Sequence, residues 1–260
     1  MAAVIYEDSR PDNYLQRLAN SAIGRQYKRT ALEQLDIQTG DTVVDLGCGP
    51  GADLEAFAAA AGPGGRVIGF DSDAAALATV SRQTAGLPHV ELRHGDIHTL
   101  DLDTDSADRA HTDRVLQHVA EPDTVLREVA RVLRPGGTAV FAEPDWHTLI
   151  IDHPDIGISR AYTRFVTDVV VRNGHIGRRL PALAAARGFD VRDVLPITAV
   201  FRDVQAADQV LGLQRVSNRA VDTGHLTPDD ATRWLDHLST EPFFASVTLF
   251  IVVAVRDSAS

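Results

Sequence analysis

Val43-Val44-Asp45-Leu46-Gly47-Cys48-Gly49-Pro50-Gly51 carries two signals in succession. Its first half is β-branched and apolar apart from Asp45, the composition of a buried strand. Its second half has glycine at every other position, and residues 52–61 follow with an apolar stripe (Leu54, Phe57, Ala58, Ala61) at helical spacing. Strand, glycine turn and helix together let a backbone approach a nucleotide closely. Glycine has no Cβ and takes φ > 0, and the helix N-terminus beyond it offers free N–H groups.

Composition bounds what such a loop can serve. The chain has 260 residues, 44% of them hydrophobic, enough for one large domain with a real core. Its formal charge of -11, with a single lysine (Lys28) and scattered arginines, argues against general affinity for nucleic-acid backbones. One cysteine excludes an intramolecular disulfide and a cysteine-rich zinc site. Residues 1–10 show no basic start followed by an apolar run, and no apolar run approaches the roughly 18 residues of a membrane span. A cytoplasmic protein with no membrane association is expected.

Outward from the loop, residues 11–35 read as helix with Gly24 as a potential break, and Thr39-Gly40-Asp41 as a turn into the first strand. Residues 66–70 and 90–94 are the second and third strands, separated by an alanine-rich helix over 74–83 that Ser72-Asp73 would cap. Residues 107–116 take the place of a fourth strand, although Asp108, Arg109, His111, Asp113 and Arg114 are unusually polar for a central one. Glu121-Pro122 opens an amphipathic helix, Arg134-Pro135-Gly136-Gly137 ends it, and 138–142 form a fifth strand. This alternation implies a mostly parallel sheet with right-handed crossovers. Beyond Glu143 the rhythm changes. Residues 146–178 show no strand but contain a helical stretch at 158–171; 180–188, 205–217 and 227–239 read as helices, and 191–201 and 243–255 as strands. One domain spanning residues 1–260 is expected, with N-terminal helices over 1–38 and inserted helices at 146–178 and 205–240.

The loop alone leaves the nucleotide open, since Gly47-x-Gly49-x-x-Ala52 also satisfies a loosened dinucleotide fingerprint. Asp45, inside the strand, is placed to reach a cationic or amino group, for which a site built around a pyrophosphate has no evident use. Taken together, VVDLGCGPG, the acidic end of the second strand (Phe70-Asp71-Ser72-Asp73), His94-Gly95-Asp96 and RVLRPGG resemble the ordered motifs of the class I S-adenosylmethionine-dependent methyltransferases. The resemblance covers residues 43–137. It implies a Rossmann-like, doubly wound α/β fold: a seven-stranded sheet, mostly parallel with an antiparallel last strand. It implies S-adenosyl-L-methionine as cofactor, held by Asp45, Gly47, Cys48, Gly49, Gly51, Asp71, Ser72, Asp96, Ile97, Asp113 and Arg114. Asp71 would accept from the ribose hydroxyls, and Asp96 with the Ile97 backbone would face the adenine amino group. The run Asp113-Arg114-Val115-Leu116-Gln117-His118 is similar to that of the small-molecule and quinone-type subgroup. A homodimer and a place in secondary metabolism are compatible with it.

Cys48 sits inside the loop and cannot be the nucleophile of a cytosine-C5 methyltransferase. No Asn-Pro-Pro-Tyr or Asp-Pro-Pro-Tyr run follows the fourth strand, which disfavours DNA amino-methylation. A small, hydrophobic acceptor is expected, methylated at oxygen, nitrogen or carbon by in-line displacement, with alignment as the protein's main contribution. His118 and His147, at the tips of strands four and five, are the candidate general bases. Asp145 and Trp146 would shape the pocket. His153, Tyr162, Phe165 and His175 fall in the first inserted region, which with the second would form a lid. Two other readings stay open: a non-methylating protein that keeps the fold and cofactor, and an NAD(P)-dependent oxidoreductase.

Overall fold

The structure, a computed structural model, describes Ala19 and residues 21–240 and 242–258. Seven strands form one sheet in the order β3-β2-β1-β4-β5-β7-β6: β1 (Thr42–Leu46), β2 (Arg66–Asp71), β3 (Val90–His94), β4 (Ala107–Asp113), β5 (Leu133–Ile151), β6 (Phe189–Phe201) and β7 (Ala245–Arg256). The β1–β2, β1–β4, β2–β3 and β4–β5 pairs are parallel, whereas β7 runs antiparallel to both β5 and β6. The expected seven-stranded, doubly wound sheet is therefore present.

Alternation along the central strands divides the core. Val43 and Val67 point to one face, where α1 (Ala22–Leu35), α2 (Leu54–Ala61) and α3 (Ala74–Gln83) supply Tyr27, Leu54, Phe57 and Val80. Val44 and Ile68 point to the other face, against α4 (Pro122–Val132) and α6 (Ile176–Ala185) through Val125, Val129, Ile176 and Leu180. All eight of these α-helical side chains are buried, each contributing about 1.5–3 kcal/mol through loss of apolar surface. Asp73 caps α3 as expected, accepting from the Ala75 and Ala76 N–H groups.

The polar fourth strand is accounted for residue by residue. Asp108 accepts from the Thr42 N–H and pairs with Arg134. Arg109 donates to the Asp36 carbonyl and lies 3.3 Å from Asp41. His111 stands opposite Asp45 in register on β1.

Several boundaries differ from the sequence reading. Gly24 does not break α1: Ser21 caps the helix by accepting from the Gly24 N–H, so Gly24 lies in its first turn. The earlier part of the 11–35 helix, and most of the 1–38 region, lie outside the described residues. Strand β5 does not stop at Ala142 but runs to Ile151, overturning the strand-free reading of residues 146–178. Its extension pairs with the start of β7, Ile150 opposite Ser246 and Ile151 opposite Ala245, past an irregularity after Asp145. The 205–217 helix is two, α7 (Val204–Leu211) and α8 (Leu213–Asp222), because Gly212 adopts φ 63° between them. Helix α6 begins four residues before Leu180, placing Pro181 inside it rather than near its start.

A third core lies beyond the carboxyl ends of the parallel strands. Here α5 (Ile156–Phe165) and a π-helical turn (Val166–Val170) pack on β5, α7 packs on β6, and α8 and α9 (Pro228–Leu238) complete the apolar cluster. Trp146, Tyr162, Phe165 and Trp234 are at its centre, with Tyr162 stacked on Trp234 at 4.9 Å. The helices of 156–170 and 204–238 thus form one cluster, whereas α6 belongs to the sheet.

Candidate active site

The glycine loop leaves β1 and turns directly over the end of β2. The Gly47 and Cys48 N–H groups both donate to the Phe70 carbonyl, at 2.8 and 2.9 Å. Gly47, Gly49 and Gly51 have φ of 72°, 50° and 75°, which L side chains rarely adopt. A Cβ on Gly47 would lie 2.5 Å from Val115 Cγ2, and one on Gly51 2.7 Å from Val80 Cγ1. Gly47 and Gly51 are therefore required by both backbone conformation and packing. Cys48 does not offer its thiol to the loop's outer face: the side chain is buried against Gly69, and burial pushes its pKa up. Any contribution from Cys48 to a ligand would be through its backbone.

Asp71 sits at the tip of β2 beside this loop. Its Oδ2 accepts from the Gly49 N–H at 2.7 Å and its Oδ1 from the Asp73 N–H at 2.9 Å, so two backbone donors fix the carboxylate. Ser72 beside it is exposed, and its carbonyl lies 3.0 Å from His94 Nε2. Across the β3 end, Asp96 accepts from the backbone and ring of His98 at 2.9 and 2.5 Å. The backbone bond and then the ring bond hold its carboxyl below the ordinary range. Ile97 is buried in the core.

Next to the loop is a partly buried ionic cluster drawn from four elements. Lys28 Nζ on α1 donates to Asp53 at 2.6 Å and to Asp113, at the end of β4, at 2.5 Å; the Tyr27 hydroxyl donates to the same Asp113 oxygen at 3.1 Å. Asp45 is also buried, and its Oδ1 accepts from His111 Nδ1 at 2.8 Å. Burial opposes charge on His111, but the bond to Asp45 and the fields of Asp53 and Asp113 outweigh it and raise its pKa. Burial likewise opposes ionisation of Asp113, where Lys28 and His111 prevail and lower it; at Asp53 burial prevails and raises it. The other oxygen of Asp113 is buried without a hydrogen-bond partner among the described residues.

The β4 and β5 tips form the remaining wall. Arg114 takes φ 60°, and its N–H donates to the Ala142 carbonyl at 2.8 Å. Fully buried Glu143 then accepts from the Val115, Leu116 and Gln117 N–H groups at 2.7, 2.6 and 3.3 Å. Burial pushes its carboxyl up to about 8, against the pull of those three donors. Gln117 Oε1 receives the Trp146 indole N–H at 2.7 Å, and Asn173 donates to the Leu116 and Val119 carbonyls. His118 therefore sits on a braced turn, its N–H on the Val115 carbonyl. Asp145 is buried and forked by Arg178, while Trp146 is pinned in the core. His147 is exposed, with its ring edge-on to His175 at 5.8 Å. His153 lies elsewhere, against His237 and Trp234.

Sequence reasoning missed Tyr27, Lys28, Asp53, His111 and Glu143. The one available signal was Lys28, the sole lysine of the chain. The positions of its two carboxylate partners depend on how α1 crosses the sheet.

Comparison with known proteins agrees with this fold. The methyltransferase-domain family profile matches residues 37–160. An uncharacterized 37.1 kDa protein of transposon TN4556 from Streptomyces fradiae is 56% identical over 252 residues, 96% of this chain and 73% of that protein. The demethylmenaquinone methyltransferase of Oceanobacillus iheyensis is 31% identical over 128 residues, 48% of this chain and 54% of its own. This match thus spans only about half of that relative. Geranyl diphosphate methyltransferase, solved in complex with S-adenosylmethionine, superposes with a TM-score of 0.56 at 19% identity, covering 96% of this chain and 93% of that one. Sequence motifs, sheet order and relatives agree: the chain belongs to the class I S-adenosylmethionine-dependent methyltransferases, with S-adenosylmethionine as its cofactor.

Proposed function

We propose that the chain methylates a small molecule with an apolar ring body, at the mouth formed by the β4 and β5 tips. The observation that carries this reading is the pairing of a loop with glycine at every other position, all three in the left-handed region, with the Asp71 carboxylate fixed beside it. Gly47, Gly49 and Gly51 would admit the methionine and ribose portions, Asp71 with Ser72 the ribose, and Asp96 with Ile97 the adenine. Asp45, Asp113 and Arg114 would set the charge around the amino-acid end, with Cys48 contributing backbone. The bound cofactor supplies a sulfonium methyl already activated for displacement, so the protein's part is alignment and exclusion of water.

The quinone methyltransferase relatives support a ring acceptor. The helical cluster over 156–170 and 204–238 would close over it as a lid. His118 and His147 are the proton acceptors we assign to an acceptor hydroxyl or amine. The test is incubation with S-adenosylmethionine and a panel of quinols, phenols and amines, read by mass spectrometry. A methylated product together with S-adenosylhomocysteine is expected. His118→Ala and His147→Ala should slow turnover without changing cofactor affinity. Tight cofactor binding with no methylated product from any acceptor would instead establish the non-methylating reading.

A further inference from the structure

The helical cluster buries its apolar side chains, but the hollow it leaves beside β5 is polar. This pocket, about 250 Å³, lies between the β5 extension and α5; His147, Arg160, Thr163, Arg164, Thr167 and Asp168 are among its lining residues. Arg160 and Arg164 are one helical turn apart and therefore share a face. The chain carries an excess of acid, and many of its arginines are paired: Arg109, Arg131, Arg134, Arg178 and Arg187 each have a carboxylate partner. Among the described residues, Arg160 and Arg164 form no ion pair although both line a pocket. Asp168 lines the same pocket but pairs with neither arginine, its carboxylate accepting from the Thr167 hydroxyl at 2.9 Å, so two guanidiniums face one carboxylate. Thr167 and Asp168 belong to the π-helical turn, a local irregularity often found at functional sites.

We propose that this pocket is an oxyanion site that takes a carboxylate or phosphate carried by the acceptor, with Arg160 and Arg164 as its ligands. The inference rests on the methyl-transfer reading and narrows it to an acidic acceptor. Guanidinium forks match the geometry of both oxyanions. The volume falls below that of pockets enclosing a whole drug-sized ligand, roughly 300–1,000 Å³, and suits a head group whose apolar body extends toward the β4 and β5 tips. In an acidic molecule, two arginines against the one Asp168 carboxylate leave a local excess of positive charge that draws an anion inward.

The test is calorimetric titration at low salt with pyrophosphate, inorganic phosphate and benzoate, using the full chain, its Arg160→Gln/Arg164→Gln variant and the remote control Arg82→Gln. S-adenosylhomocysteine is titrated in parallel. Both pocket arginines are exposed, so the double variant should fold. At least one oxyanion should bind the parent and the control equally, and the double variant at least about tenfold more weakly. S-adenosylhomocysteine should bind all three alike. Tighter binding of the phosphates would indicate a phosphorylated acceptor; tighter binding of benzoate would indicate a carboxylic acid. No binding of any oxyanion, or equal binding by the double variant, would overturn the site. Oxyanion binding without S-adenosylhomocysteine binding would keep the site but sink the methyl-transfer reading and its acceptor assignment.

Discussion

The glycine loop and the helical cluster meet the same requirement, a fixed surface for a ligand, by opposite means. Around the loop, shape comes from absent side chains and from buried ions that hold each other: Lys28 between two carboxylates, His111 on Asp45, Asp71 on two backbone N–H groups. In the cluster, shape comes from large apolar side chains, with Trp146, Tyr162, Phe165 and Trp234 at the centre and charge at the rim. The difference teaches where each region tolerates change. A backbone surface over an ionic base has no slack for an added methyl, whereas a packed apolar layer with flexible arginines at its edge can adjust.

Two matched substitutions test that contrast, and others sharpen it. Gly47→Ala should have the largest effect. The new Cβ meets the stiff, half-buried Val115 at 2.5 Å in a left-handed conformation, costing about 3 kcal/mol of stability from strain and overpacking. Urea denaturation should show this, and calorimetry should find no S-adenosylhomocysteine binding. Lys28→Met should follow, at about 2 kcal/mol, because it leaves Asp53 and Asp113 half-buried side by side without the ammonium they share; denaturant midpoints at neutral pH would register it.

Glu143→Gln probes the braced turn through pH. In the folded protein its carboxyl titrates near 8, above its ordinary value of 4.5. The folded state thus binds the proton more tightly, and the associated stability is complete below about 4.5 and lost as pH rises through about 8. The variant should cost about 1–2 kcal/mol at pH 5 and show a flatter decline in melting temperature between pH 5 and 8. The smallest effect should come from Gly212→Ala, the cluster's counterpart to Gly47→Ala. It too has positive φ, but its Cβ would meet only the far end of the Arg215 side chain. A loss of about 1 kcal/mol in thermal unfolding is expected, with unchanged cofactor affinity. Equal losses from the two glycine variants would break the comparison.

The parallel half of the sheet was legible because its signals are local. A strand ending in alternating glycines, an aspartate at the next strand tip and a proline-led amphipathic helix each need only neighbouring residues to be read. The β5 extension was not legible, because Trp146 to Ile151 become a strand only when Ala245 to Thr248 lie beside them, about a hundred residues on. The ionic cluster was hidden for the same reason: Lys28, Asp53, Asp113, Asp45 and His111 meet only after α1, α2, β1 and β4 are assembled. The polarity of β4 was noticed yet left unexplained, since its partners lie on neighbouring elements. Gly212 is the local signal that was passed over; a glycine within a helical pattern marks a C-cap.

The most direct test of the central claim, that the glycine loop and Asp71 together hold the cofactor, is calorimetric titration with S-adenosylhomocysteine of the parent chain and of Asp71→Ala. The account predicts a Kd on the order of micromolar for the parent and at least about a tenfold weakening in the variant, from loss of hydrogen bonds to a charged acceptor, with a lowered unfolding midpoint because the Gly49 and Asp73 N–H groups lose their acceptor. Equal affinity in a folded Asp71→Ala variant would contradict it.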